Sequence, residues 1–184
     1  WRNARFDMVA AVATGIALLL WALGVSGWAA AVSLLAALLQ LVRWGGWNPW
    51  ATRRTPLLWV LHASYLWIPL GLALLAATQL GLVPRSAGVH ALAIGATGGL
   101  IIGMITRTAL GHTGRMLVTG RVEVIAYALV QIAAVARVLT VAAIPAGVLG
   151  GIHLAATAWT LAFALYLWRY TPFLFYSRVD GKAG

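Results

Sequence analysis

Cysteine is absent from the 184-residue chain, and only three residues are acidic. Without cysteine, disulfides, thiolate-ligated haem, iron–sulfur clusters and covalent c-type haem are excluded within this sequence. Any metal must then use His, Met, carboxylate or backbone ligands. The acids, Asp7, Glu123 and Asp180, each fall near the boundary of an apolar run, so nothing resembles a nucleophile with its base. Polar stretches are scarce as well. With 62% hydrophobic and 9% charged residues, the chain is neither an ordinary soluble domain nor a disordered one. It reads as an integral membrane protein whose first partner is the lipid bilayer. The formal net charge of +10 comes from basic residues scattered singly or in pairs, with no basic face, so no nucleic acid is expected as a partner. The chain opens on Trp1 rather than Met and shows no cleavable signal, which suggests a piece of something longer.

Six apolar segments, at about 8–24, 28–44, 57–80, 87–110, 122–144 and 148–168, each approach the length that crosses a bilayer. Runs of this length lack the alternation of barrel strands, and in lipid only helices satisfy their own backbone. The expected fold is therefore all-α, a polytopic transmembrane bundle of six helices forming one domain over residues 1–184. Alternating the loops puts Arg2, Arg5, Arg43, Arg53, Arg54, Arg107, Arg115, Arg121, Arg169, Arg178 and Lys182 on one side. Arg85 alone lies on the other, and Arg137 falls inside the fifth span. The positive-inside rule then gives an N-in/C-in orientation. Trp44, Trp47, Trp50, Trp59 and Trp168 cluster at that side and read as headgroup anchors. Pro49 and Pro56 interrupt the loop after the second span, and Pro69 is expected to bend the third.

The stretch HALAIGATGGLIIGMITRTALGHTGR, from His90 to Arg115, organises the rest. His90 and Arg107 lie roughly 26 Å apart along a helix, near opposite faces of the membrane. Ala91, Gly95, Gly99 and Gly103 form a stripe of small residues that admits a neighbouring backbone. Gly111 and Gly114 then stop the helix and set His112, Thr113 and Arg115 on a turn.

Polar side chains inside hydrocarbon are costly, and four stand out: His62, His90, Arg137 and His153. Counting from the span ends puts His90, His153 and Arg137 in one outer layer, with His62 roughly 15 Å further in. One reading of that layer is a metal or haem centre, with His90 and His153 as ligands and Arg137 holding a propionate or another anion. The other is interhelical hydrogen bonding, since no HxxxH or HxH spacing is present. His62, flanked by Trp59 and Tyr65, is either a second ligand or part of an aromatic patch. Glu123, Tyr127 and Gln131 follow at every fourth residue, as a proton or water path or as a packing seam in which Arg121 or Arg115 satisfies Glu123. In the loop, His112, Thr113 and Arg115 suit an anion, or a turn capped by its own side chains.

These residues also resemble a known family. HALAIGATGGLIIGMITRTALGHTGR is similar to the signature segment of the NnrS family of bacterial membrane proteins. PLLWVLHASYLWIPLGLAL from Pro56 resembles a span of that family, RYTPFLFYSRVDGKAG its C-terminus, and WRNARF a mid-protein junction. The resemblance covers nearly the whole chain. It implies an inner-membrane protein of about twelve spans, containing haem and copper and acting in nitric oxide metabolism or protection from nitrosative stress, with nitric oxide or nitrosylated iron as ligand. The chain would be its C-terminal half, and the missing N-terminal half, with a Trp-His-x-His-Glu pattern not found here, a partner. Met116 stands where a proline is common in the family, and Lys182 and Ala183 replace an Arg-Pro pair. Carried over residue by residue, the resemblance puts functional weight on His90, Arg107, His112, Thr113 and Arg115, and less directly on His62, Arg137 and His153. Bundle positions favour His90 and His153 for haem, whereas the loop position of His112 suits copper, an anion or a cap. Two other functions compete: a small-solute or ion permease with Arg137 on its path, and a metal-free half whose task is to dock the other half.

Overall fold

The computed structural model describes residues 3–25, 27–144 and 147–181. Arg2 and Lys182 of the basic count, and Ala183, lie outside the described residues. The fold is all-helical among the described residues, with six helical stretches long and apolar enough to cross a membrane. The six-helix transmembrane expectation is borne out.

Local chemistry sets the ends of several spans. The Asn3 side chain accepts the Arg5 and Phe6 amides at 3.2 Å and starts α1 (Ala4–Ala22), with Asp7 in the first turn where the helix dipole favours an anion. α2 (Ala29–Gly46) ends in the Trp-rich loop, where Asn48 takes a left-handed conformation and Pro49 opens a short 3-10 turn, Pro49–Thr52. Pro56 begins the next span at the first helical position, where its missing N–H costs nothing. That span breaks into α3 (Pro56–Tyr65) and α4 (Trp67–Gln79). Pro69 cannot donate to the Tyr65 carbonyl four residues back, which accounts for the break beside it.

The fourth span consists of α5 (Arg85–His90), a π-helical segment (Ala91–Gly98) and α6 (Gly99–His112). Its glycines let the third span approach. A Cβ on Gly95 would collide with the Trp67 ring, one on Gly99 with the Ser64 hydroxyl, and one on Gly103 would come within 2.9 Å of Leu61. The small-residue stripe is thus a close helix–helix seam.

α7 (Arg121–Ala143) and α8 (Val148–Phe175) form the most extensive helix pair. Val60, Ile102, Ala126, Tyr127, Val130 and Ala162 make a core shared by the last four spans. Ala17, Ala36, Ala37 and Leu72 join the first two spans to α4. α8 runs through Pro172 to Phe175, past the expected end near residue 168. The Trp anchors also divide. Trp50 and Trp168 are exposed, whereas Trp44 donates to the His62 carbonyl at 2.8 Å, Trp47 packs on Tyr65, and Trp59 sits edge-on to Tyr127. Those three indoles fill helix interfaces.

Candidate functional site

His90 ends α5 and Arg137 lies six residues from the end of α7; the structure brings them together. The Arg137 Nε–H donates to His90 Nε2 at 3.2 Å. An imidazole that accepts on Nε2 holds its proton on Nδ1. That Nδ1 is buried without a well-formed hydrogen bond, the Ser86 carbonyl one turn back being poorly placed for it. Arg137 Nη1 is likewise buried with no partner. Arg137 also borders a cleft of about 270 Å³, together with Ile94, Ile152, Ala155, Ala156 and Trp159. A guanidinium and an imidazole with unused donors, beside an apolar cleft at membrane depth, can receive an anionic or metal-bearing group. His153 is exposed on α8 and makes no hydrogen bond among the described residues.

His62 stands apart from this pair. Its ring meets Trp47 edge-on, with centroids 6.2 Å apart, and its Nδ1 is buried without a partner. Beside it runs a polar chain across three spans. Arg43 donates to Asp7 at 2.8 Å and to the Tyr65 hydroxyl at 3.2 Å. Tyr65 donates to Gln40 Oε1, and Gln40 donates to the Thr14 hydroxyl at 2.8 Å. The chain ends where Thr14 donates to the Ala10 carbonyl at 2.8 Å, an acceptor that passes no proton on.

Along α7 the polar stripe is a seam. Glu123 accepts the Gly120 amide at 2.7 Å, the Tyr170 hydroxyl at 2.9 Å and Arg169 Nε at 3.4 Å. Its partners come from the end of α8 and its own cap, instead of from Arg121 or Arg115. Gln131 donates to the Ser64 hydroxyl at 3.1 Å and accepts from the Trp67 indole at 2.8 Å, tying α7 to both halves of the third span. Tyr127 is fully buried between these two positions.

At the loop, Gly114 adopts φ of 72°, and the Asp180 carboxylate occupies the space that a side chain there would need. Thr113 is buried and its hydroxyl donates to the Ala109 carbonyl at 2.7 Å, which caps the end of α6. The Val179 amide donates to the Thr113 carbonyl at 3.2 Å, and Arg178 donates to the His112 carbonyl at 3.0 Å. Arg178 also pairs with Asp180 at 2.6 Å, and this hydrogen bond holds the guanidinium above its ordinary value. The Arg115 guanidinium lies over the Phe173 ring at 3.9 Å. Arg107 and the imidazole of His112 are exposed. Among the described residues no three metal-ligating side chains gather at one point.

The model of the NnrS protein family matches residues 1–178. The chain belongs to the NnrS family. That membership makes it a multi-pass membrane protein of a generally metal-binding family linked to the nitric oxide response. No curated protein and no solved structure matches the chain.

In this NnrS chain the two stretches GHTGR and FYSRVDG, distant in sequence, are clasped together by the backbone and Arg178 contacts just described. Asp7, Gln40 and Arg43, which sequence patterns did not single out, form a network. The signal for them was present, since Gln40 and Thr14 are polar residues inside apolar spans, but the partners that join the three spans lie 22 to 36 residues away.

Proposed function

We propose that this NnrS chain is the C-terminal half of an inner-membrane protein of about twelve spans, with its termini in the cytoplasm, that binds haem and acts in the handling of nitric oxide. The observation behind this reading is the His90–Arg137 pair, with its buried, unpartnered Nδ1 and Nη1. The pair fits one attachment point for haem. His90 would offer its Nε2 lone pair to the haem iron, and Arg137, now hydrogen-bonded to that nitrogen, would become available to a propionate. A bound haem supplies an iron to which nitric oxide binds. His90 would position that iron and Arg137 would balance charge in a site that water reaches poorly.

Copper does not fit the described residues alone, since His62, His112 and His153 form no cluster with His90. A copper centre in this reading takes further ligands from the N-terminal half. The exposed His153 on α8 suits the same view, because a polar side chain at membrane depth is best covered by protein.

The absorption spectrum of the detergent-purified full-length protein tests this. His90→Ala is expected to lose or shift the Soret band, and Arg137→Gln to weaken haem retention. His112→Ala should leave the spectrum unchanged. An unaltered Soret band in well-folded His90→Ala would remove His90 as ligand.

A further inference from the structure

A second pocket, of about 400 Å³, opens at the GHTGR end of the bundle, away from the His90–Arg137 pair. Its wall is two-sided. His112, Tyr176, Ser177 and Arg178 supply an imidazole, hydroxyls and a guanidinium, whereas Phe173 and Leu174 supply apolar surface. The charge around it is unbalanced: Arg107, Arg115, Arg121, Arg169 and Arg178 share this end with only Glu123 and Asp180. Arg178 is paired with Asp180 and Arg169 with Glu123. Among the described residues Arg115 has no carboxylate partner and donates to the Thr113 carbonyl at 3.4 Å. Its guanidinium lies instead over Phe173, and that of Arg169 approaches the same ring at 5.0 Å. Arg115 is therefore a cation next to the pocket that no acid holds, standing beside its Phe173 wall without lining it.

Depth narrows the ligand class. The 28 residues of α8 span roughly 42 Å at the helical rise, more than a hydrocarbon core of about 30 Å, so the last turns bearing Phe173 and Leu174 extend into the headgroup layer. Polar donors facing apolar side chains at that depth, with an arginine beside them, suit phosphate on one side and an acyl chain on the other.

We propose that this pocket binds a phosphate-bearing anion, supplied by the headgroup of an anionic phospholipid. The His112 imidazole and the Ser177 hydroxyl donate to the phosphate, Arg115 reaches it from beside the Phe173 wall, and Phe173 with Leu174 carries the start of an acyl chain. Occupancy locks the GHTGR loop to the segment after α8. The inference is independent of haem, because the pocket and the His90–Arg137 pair share no residue.

Native mass spectrometry and thermal melting of the full protein in neutral detergent test it, with phosphatidylglycerol, phosphatidylcholine or inorganic phosphate added. Phosphatidylglycerol is expected to be retained and to raise the melting temperature, and phosphatidylcholine to do neither. Arg115→Gln should weaken retention about tenfold, as expected for loss of one charge-assisted contact. The exposed His112→Gln should weaken it less, serving as the second variant if Arg115→Gln folds poorly. Arg54→Gln, an exposed cation on another loop of the same side, should change nothing. A melting response to inorganic phosphate equal to that with phosphatidylglycerol would keep the anion site and overturn its lipid source. Equal retention of both lipids, or undiminished phosphatidylglycerol binding in both variants, would overturn the proposal.

Discussion

α7 bears one buried acid in its first turn and one cation near its far end, and the two are treated in opposite ways. Glu123 is 4% exposed and receives hydrogen bonds from a backbone amide, a tyrosine and an arginine. Arg137 makes one side-chain hydrogen bond, to a neutral imidazole, and leaves Nη1 buried and unused. A charge with its hydrogen bonds filled belongs to the architecture. One held with capacity to spare, at the cost of desolvation, is kept for something it has yet to meet. In the proposed reading, that difference separates a structural end of the helix from the end that meets a ligand.

Substitutions can break that contrast or sharpen it. Glu123→Ala should have the largest effect on stability, about 3 kcal/mol, because it leaves the buried Tyr170 hydroxyl and the Gly120 amide without their acceptor; thermal melting in detergent would measure it. Gln131→Leu, between the two ends, leaves the Trp67 indole N–H without its acceptor and should cost about 1–2 kcal/mol in the same assay. Arg137→Met should be the mildest, within about 1 kcal/mol of the parent in either direction, since it removes an incompletely satisfied buried charge. If Arg137→Met instead unfolded the protein as Glu123→Ala does, the two ends would be alike and Arg137 structural. If Glu123→Ala melted like the parent, the α7 stripe would regain its claim to be a proton or water path.

Much of the fold was legible because membrane spans are written in continuous hydrophobic runs, which need no knowledge of what packs where. The span starts were set by signals of shorter reach. Asn3 with Asp7 moves the first helix to residue 4, earlier than hydropathy alone suggests. The late end of α8 was hidden by Pro172, which gives up the hydrogen bond to the Trp168 carbonyl, yet the helix continues past it to Phe175. At the candidate site, depth counting along helices put His90 and Arg137 in one layer, where they meet. Counting depth does not fix direction around the axis. For that reason His153, placed in the same layer, faces outward, and Trp59 packs on Tyr127 instead of His62. Long-range pairings such as Arg43 with Asp7 depend on which helices become neighbours, and no local pattern encodes that.

The wide turn between His90 and Gly99 has a consequence for how this site tolerates change in chain length. A π turn closes its hydrogen bond one residue later than an α turn does, so the Ala91–Gly98 segment holds a residue that a regular helix would not need. Deleting one residue there would let a regular α-helix keep His90 aimed much as it is, whereas forcing all eight residues into an α-helix would rotate everything upstream by about 100°. His90 would turn from Arg137 toward another neighbour, although the glycine seam of α6 stayed in place. The aim of the imidazole is thus set by the width of this turn, and a change that tightens it without removing a residue would reach the site while leaving His90 and Arg137 themselves unaltered.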